Sequence, residues 1–460
     1  MLFQPKCEHD ARKQGIIQAS LQLHKTIIPV VDNHAGCSRV IIPRIRMQIT
    51  KDSSVYISVP WMHTAVFVSA VLVVISRRPD AVFNPQFWAE DGPWWYAQAY
   101  NLGSWKMLLQ PYHGFFYTAH RLAAGLAQLV PLVFAPLVLN LIAIFFQVLP
   151  VNFFLSSRFT SLATLQTRLL LGFLYLALPN SFELNATISN SYWHLGLLLC
   201  LVILAEPARS LLWRCFDLSL VVLAALTGPF AIMLAPLAGA VWGWKRREKW
   251  TLVLLVTLTA GALVQGYTLL RTGNSARGEG GLGASPDLFA KILTTRVFLA
   301  TLVGRNNLPY ESSYTPLAVL IAVAGIAVLV YALLKAQWEL KVFIAFASSA
   351  LAASLLNPIA PPPKWLALMT PWCTRYWFLP MLAFVAALVW MAGAERPRGA
   401  RLIAAAALAL MSVGIVRDWQ YPPFTDLHFG VYARVFSDLP KGASLTIPLN
   451  PGWSMTLIKR

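Results

Sequence analysis

Long apolar stretches recur from residue 61 to residue 416, and they leave this chain few ways to fold. Most are long enough to cross a hydrocarbon core of about 30 Å. Inside lipid the backbone N–H and C=O groups find no water, so only α-helices and closed β-barrels satisfy them. Barrel strands alternate apolar and polar residues, and these runs show no period of two. Only 12% of the 460 residues are charged, roughly half the share in soluble domains. The expected fold is an all-α, multi-pass membrane protein.

The formal net charge is +18. In a soluble chain that excess would point to nucleic acid. Here many basic residues sit in short connectors, "WKRREKW" (244–250), "LLKAQWELK" (333–341) and "AERPRGAR" (394–401). Such clusters mark cytoplasmic loops, so no nucleic-acid partner is expected. The longer segments 271–313, 357–374 and the tail 417–460 then face outward. Long loops cross whatever their charge. Spans are expected near 61–77, 132–155, 169–182, 192–205, 215–227, 230–244, 250–270, 314–334, 341–356, 375–392 and 401–416. That is about eleven, with the N-terminus inside and the C-terminus outside. Gly228-Pro229 stops one span and opens the next. The stretch "FFYTAHRLAAGLAQLV" (115–130) carries His120 and Arg121, which are costly at mid-bilayer. It reads as an interfacial helix on the outer surface, inside an external loop 78–131. Residues 1–60 read as an N-terminal cytoplasmic segment. Met47 precedes the first span more naturally, so residues 1–46 are either an over-extended start or a tail. The five cysteines lack C-x-x-C spacing and imply neither a disulfide framework nor a zinc site.

In the first external loop, "FWAEDGPWWYAQAYNLG" (87–103) sets Glu90 and Asp91 side by side among Phe87, Trp88, Trp94, Trp95 and Tyr96. Only 19 residues are acidic, and no further acid appears until Glu183. The aromatic rings suit stacking on a sugar, although Trp and Tyr are also ordinary interfacial anchors. A general base must reach the proton it takes, and few external carboxylates are available. The loop continues with Tyr112, His113, His120 and Arg121. A lone interfacial His or Arg is usually a snorkelling anchor. Grouped with carboxylates and aromatics at one membrane face, they point to a site. A third external segment, "NATISNSYWHLG" (185–196), brings Asn190, Tyr192, Trp193 and His194 to the same face. Its Asn185-Ala186-Thr187 matches a glycosylation sequon, a pattern frequent by chance.

An acidic pair in a first external loop, then a surface helix and many further spans, resembles the GT-C class of integral-membrane glycosyltransferases. The likeness covers the topology of roughly residues 61–416 and the local "WAEDG" and "PYHGFF…HR" segments. It implies transfer of a sugar, as a hexosyl- or pentosyltransferase, from a polyprenyl-phosphate carrier. The acceptor would be an envelope glycan, lipid or protein at the outer face. It also implies that a loop carboxylate is the catalytic base or a metal-associated acid. Carried over, that is Asp91 or Glu90, with Asp91 preferred. No second acidic motif stands outside, which leaves a divalent metal open. Trp88, Tyr112, His113, Arg121 and His194 would line the substrate site.

A lipid-phosphate donor also needs cations at the outer headgroup level. "TPWCTRYWFLP" (370–380) places Arg375 and Tyr376 where a span begins, and an "RY" there resembles the class. Arginine clamps phosphate through two N–H groups. Lys364, Arg271, Arg277, Lys291, Arg296 and Arg305 are further candidates. "RTGNSARGEGGLGASP" (271–286) reads as a mobile glycine-rich connector and lacks the G-K-[ST] ending of a Walker A loop. "DLFAKILTTRVFLATLVG" (287–304) reads as an amphipathic surface helix. Together they would gate a lipid-substrate cavity. The tail's "SLTIPL" suggests a strand in a small external cap. The rival reading is a transporter or flippase for a lipid-linked or anionic substrate. Such proteins often show internal repeats and mid-span charges; this chain has no convincing repeat and nearly charge-free spans. A non-catalytic assembly partner is a third option. Composition suits a bacterial inner membrane.

Overall fold

A computed structural model describes residues 60–276, 280–304 and 315–460 of the protein. The N-terminal segment, Arg277 and Arg305 lie outside the described residues. A helix lies in each stretch expected to span, although the one expected at 169–182 ends already at Leu176: α1 (Pro60–Arg77), α3 (Ala135–Phe154), α4 (Leu165–Leu176), α5 (Ser191–Leu204), α6 (Leu211–Ala225), α7 (Phe230–Trp244), α8 (Lys249–Ala276), α9 (Thr315–Lys335), α10 (Trp338–Leu356), α11 (Phe378–Met391) and α12 (Arg398–Arg417). The expected interfacial helix is α2 (Thr118–Ala127). Among the described residues, six helical segments are long and apolar enough to cross a membrane: Leu132–Phe154, Lys249–Thr272, Pro316–Lys335, Trp338–Leu356, Cys373–Met391 and Arg398–Arg417. The chain is a helical membrane protein. Trp61–Arg77, Leu165–Leu176, Ser191–Leu204 and Phe230–Trp244 are shorter apolar helices, so a count of eleven crossings goes beyond these six.

Local chemistry explains the helix ends. Thr164 and Ser210 accept from the backbone N–H groups of Thr167 and Trp213 and so cap α4 and α6. Arg168 donates to the carbonyls of Phe154, Leu155 and Ser156, which the end of α3 leaves without helical donors. Between α6 and α7 the chain turns at Gly228, whose φ of +82° suits glycine, and its N–H bonds the Phe116 carbonyl at 2.9 Å. The connector after α3 is pinned to α6 by Arg158, which grips Asp217 through both Nη atoms at 2.6 and 2.9 Å.

The loops read as external gather at the other end. Past α12 the chain folds back as α13 (Phe429–Asp438) and an antiparallel hairpin, β1 (Ser444–Leu449) and β2 (Trp453–Ile458). This cap lies against the first external loop. Arg77 donates to the carbonyls of Leu176, Leu178, Asp418 and Trp419 and to the Tyr421 hydroxyl, tying the tail to α1 and the loop after α4.

Three expectations need correcting. The glycine-rich connector begins only after Ala276, because α8 continues through residue 271. Its part from residue 280 is docked: Trp365 N–H bonds the Leu282 carbonyl at 2.9 Å, and a Cβ on Gly280 or Gly283 would meet Pro362 or Pro363 at 2.8 Å. The stretch 287–304 is not a surface helix. It forms three successive helical pieces, Pro286–Ile292, a π-helical turn Leu293–Phe298 and Leu299–Val303, and the middle piece is wholly buried. Finally, His120 and Arg121 on α2 point inward, while Leu122 and Leu126 take the exposed side.

Candidate functional site

A cavity of about 570 Å³ opens among these gathered loops, large enough for a small ligand. Its wall includes Trp88, Glu90, Tyr112, His113, Glu183, Ser189, Tyr192, Arg375, Tyr376 and Trp453. Seven of these lie between residues 88 and 192, two follow Trp372, and Trp453 comes from the tail hairpin.

The acidic pair sits on a short 3₁₀ turn, Ala89–Asp91, followed at once by a π-helical turn, Gly92–Ala97. The turn sends the two side chains in different directions. Glu90 is half-buried and faces the cavity. Asp91 is buried at 1% exposure and stays out of the cavity wall; its Oδ1 accepts from Ser189 N–H at 3.0 Å and Ser189 Oγ at 2.5 Å. Burial pushes the Asp91 carboxyl up to about 7, with the Glu90 charge adding to it and the Ser189 bonds opposing it. Ser189 is a junction: its Oγ also accepts from Trp95 Nε1 at 3.1 Å, and its carbonyl accepts from His120 Nε2 at 3.3 Å. Burial lowers the His120 pKa to about 3, so its ring is neutral at physiological pH.

Across the cavity, Glu183 Oε1 pairs with Arg375 Nη1 at 2.8 Å. Its Oε2 accepts from the Arg375 backbone N–H at 3.1 Å and from Thr374 Oγ1 at 3.3 Å. Burial pushes the Glu183 carboxyl above its usual range, while the Arg375 guanidinium pulls it back and the Glu90 charge raises it further. Both carboxylates line the same cavity. Tyr376 beside the pair accepts from the Ile359 N–H at 3.1 Å.

Among the residues expected from sequence, Trp88, Glu90, Tyr112, His113, Arg375 and Tyr376 come together on the cavity wall. Trp88 stacks on Phe424 of the tail, centroids 4.3 Å apart and planes at 11°. Tyr112 packs against Trp94 and Trp95 at 4.8 and 5.1 Å. Asp91, Arg271 and Lys364 stay off the wall, and the structure keeps four others off it as well. Arg121 is buried behind it, bonding the Trp94 carbonyl at 2.5 Å and Gln98 Oε1 at 2.9 Å. His194 sits between the Tyr175 hydroxyl at 2.8 Å and the Leu184 carbonyl, to which Nε2 donates at 3.0 Å. Lys291 pairs with Asp287 one helical turn away at 2.9 Å. Arg296 is buried in the π-helical turn and donates to the Met369 carbonyl.

Sequence reasoning missed Glu183, Ser189 and Trp453. Glu183 had a signal: it opens the polar run "ELNATISN" at the outer end of α4, and so adds the external carboxylate thought lacking. Nothing in the tail's own residues announces that Trp453 reaches the cavity. Among the described residues no three His, Cys, Asp or Glu side chains converge as metal ligands.

No family model and no curated protein matches the chain. Among solved structures, the Archaeoglobus fulgidus oligosaccharyltransferase tethered with an acceptor peptide is similar at 13% identity and a TM-score of 0.40, covering 83% of this chain and 58% of that one. The same organism's oligosaccharyltransferase AglB with an inhibitory peptide and a dolichol-phosphate is similar at 12% identity and a TM-score of 0.39, covering 83% and 58%. An apo form matches at 13% identity and a TM-score of 0.39. This chain spans less than two thirds of the length of these structures.

Proposed function

We propose that the protein is a membrane glycosyltransferase that moves a sugar from a polyprenyl-phosphate carrier to an envelope acceptor at the outer face. The observation carrying this reading is the cavity itself, with a carboxylate on one side, an Arg–Glu pair on the other and aromatic rings between. Glu90 is the base. It takes the proton as the acceptor oxygen bonds the anomeric carbon, and the bond from that carbon to the phosphate oxygen breaks. The electron pair leaves with the polyprenyl phosphate. Arg375, oriented by Glu183, holds the phosphate and stabilises its growing charge. Trp88, Tyr112 and Trp453 offer rings for the sugar to stack on. Asp91 acts beside the base, by positioning the loop through Ser189. In this topology the chain crosses the membrane about eleven times and belongs in a bacterial inner membrane. No step is routed through a metal.

The test compares envelope glycolipids and glycoproteins by mass spectrometry in cells with the wild type, Glu90→Gln or Asp91→Asn at equal membrane levels. A general base contributes about 10²–10⁴-fold, so a sugar-sized mass should vanish with Glu90→Gln and persist, reduced, with Asp91→Asn. Loss only with Asp91→Asn would return the base to Asp91. No change in either variant would favour the transporter or flippase reading.

A further inference from the structure

The base candidate lies next to a backbone position that the local sequence does not favour. Ala89 has φ +41°, a left-handed conformation costly for any residue with a Cβ. Something outside the loop must hold it there, and the C-terminal hairpin does. The Asn450 carbonyl accepts from Ala89 N–H at 2.6 Å, and Trp88 and Asn450 pair as a parallel bridge. The Asn450 amide is spent on holding its own turn. Its Nδ2 donates to the Thr425 carbonyl at 2.8 Å and to Gln86 Oε1 at 3.4 Å, and its Oδ1 accepts from Thr425 N–H at 3.2 Å. On the far side of the acidic pair, a Cβ on Gly92 would sit 2.1 Å from Leu449 Cδ1, so the hairpin touches the loop both before and after Glu90. Pro451 and Trp453 continue from this turn into the cavity wall.

We propose that Asn450 is a positioning residue for Glu90, and that the hairpin is a clamp that keeps Ala89 left-handed so that the Glu90 carboxylate faces the cavity. The clamp is geometric, and its effect on turnover rests on the glycosyl-transfer reading. Asn450→Ala lets the turn drift and Ala89 relax. Glycine adopts a positive φ without that penalty, so Ala89→Gly in the same chain should restore the aim. The left-handed cost of about 1–2 kcal/mol converts to about five- to thirty-fold of recovered turnover.

The experiment uses the full-length protein in detergent. Hydrogen exchange reads the Ala89 amide, a water-soluble carbodiimide with glycinamide reads the Glu90 carboxylate by mass spectrometry, and turnover is split into kcat and KM. With Asn450→Ala the Ala89 amide should exchange at least ten-fold faster, Glu90 should label at least three-fold faster, and kcat should fall with KM held. Restoration of Glu90 labelling and kcat by Ala89→Gly is the result a merely structural role would not give. Unchanged exchange, unchanged labelling, or a loss that Ala89→Gly leaves untouched in folded protein would overturn the clamp. If the wild type transfers no sugar, the functional reading fails while labelling alone still decides the clamp.

Discussion

Glu90 and Asp91 share a sequence environment and almost nothing else. One 3₁₀ turn separates a carboxylate facing a cavity from one sealed against Ser189. That difference has a measurable consequence in pH. The Asp91 carboxyl is pushed up to about 7 by burial, so the folded chain holds this proton more tightly than the unfolded chain does. Its contribution to stability is fully present below the ordinary aspartate range near ~4 and is lost as pH rises through about 7. Asp91→Asn keeps an Oδ1 acceptor for Ser189 and cannot ionise. In detergent the wild-type melting temperature should therefore fall from pH 5 to pH 8 relative to Asp91→Asn, and parallel curves would show that Asp91 is already ionised at pH 5. At this scale the sequence marked the right loop, because two acids among aromatics are conspicuous in an acid-poor chain. It could not order the pair, since the direction of each side chain depends on Ala89, Ser189 and a hairpin far along the chain.

Helices were the most legible elements, since an apolar run of that length has no other stable form in lipid. Their contacts were not. The run 287–304 carries Thr294, Thr295 and Arg296 and looks amphipathic, yet these polar groups are buried. Thr294 donates to the Ala318 carbonyl at 2.5 Å and Thr295 to the Lys291 carbonyl at 2.8 Å, so burial leaves their hydroxyls satisfied. Small residues make room for this piece. A Cβ on Gly325 in α9 would meet Phe298 at 2.4 Å, and one on Gly414 in α12 would meet the Leu302 carbonyl oxygen at 2.6 Å and the Gly304 nitrogen at 2.8 Å. A phenylalanine ring can turn aside, whereas backbone cannot. Gly414→Ala should therefore lower stability by about 1–3 kcal/mol, the usual range for overpacking, and by more than Gly325→Ala. Thermal unfolding of both variants in one detergent checks the order, and equal losses would mean that α12 shifts freely away from Leu302.

At the scale of the whole molecule, charge segregates by end. One end carries the Arg158–Asp217 pair, and Arg246 beside Trp338 at 5.1 Å. The other carries the cavity, the acidic pair and a tail fastened by Arg77. Such a division was legible because basic connectors alternate with longer loops along the sequence. The return of the tail onto the first loop was not, because its bonds join residues more than three hundred positions apart. If the basic connectors face the cytoplasm, the cavity and the tail face out together. Single cysteines at two exposed positions test this, in a chain freed of its five native ones. Lys441→Cys lies in the tail and Arg247→Cys in the connector between α7 and α8. A membrane-impermeant maleimide should label Lys441→Cys in intact spheroplasts and Arg247→Cys only after permeabilisation. The reverse pattern would put the cavity on the cytoplasmic side and overturn transfer at the outer face. Labelling of both from one side would break the alternation between the two ends, and with it the count of crossings between Arg247 and the tail.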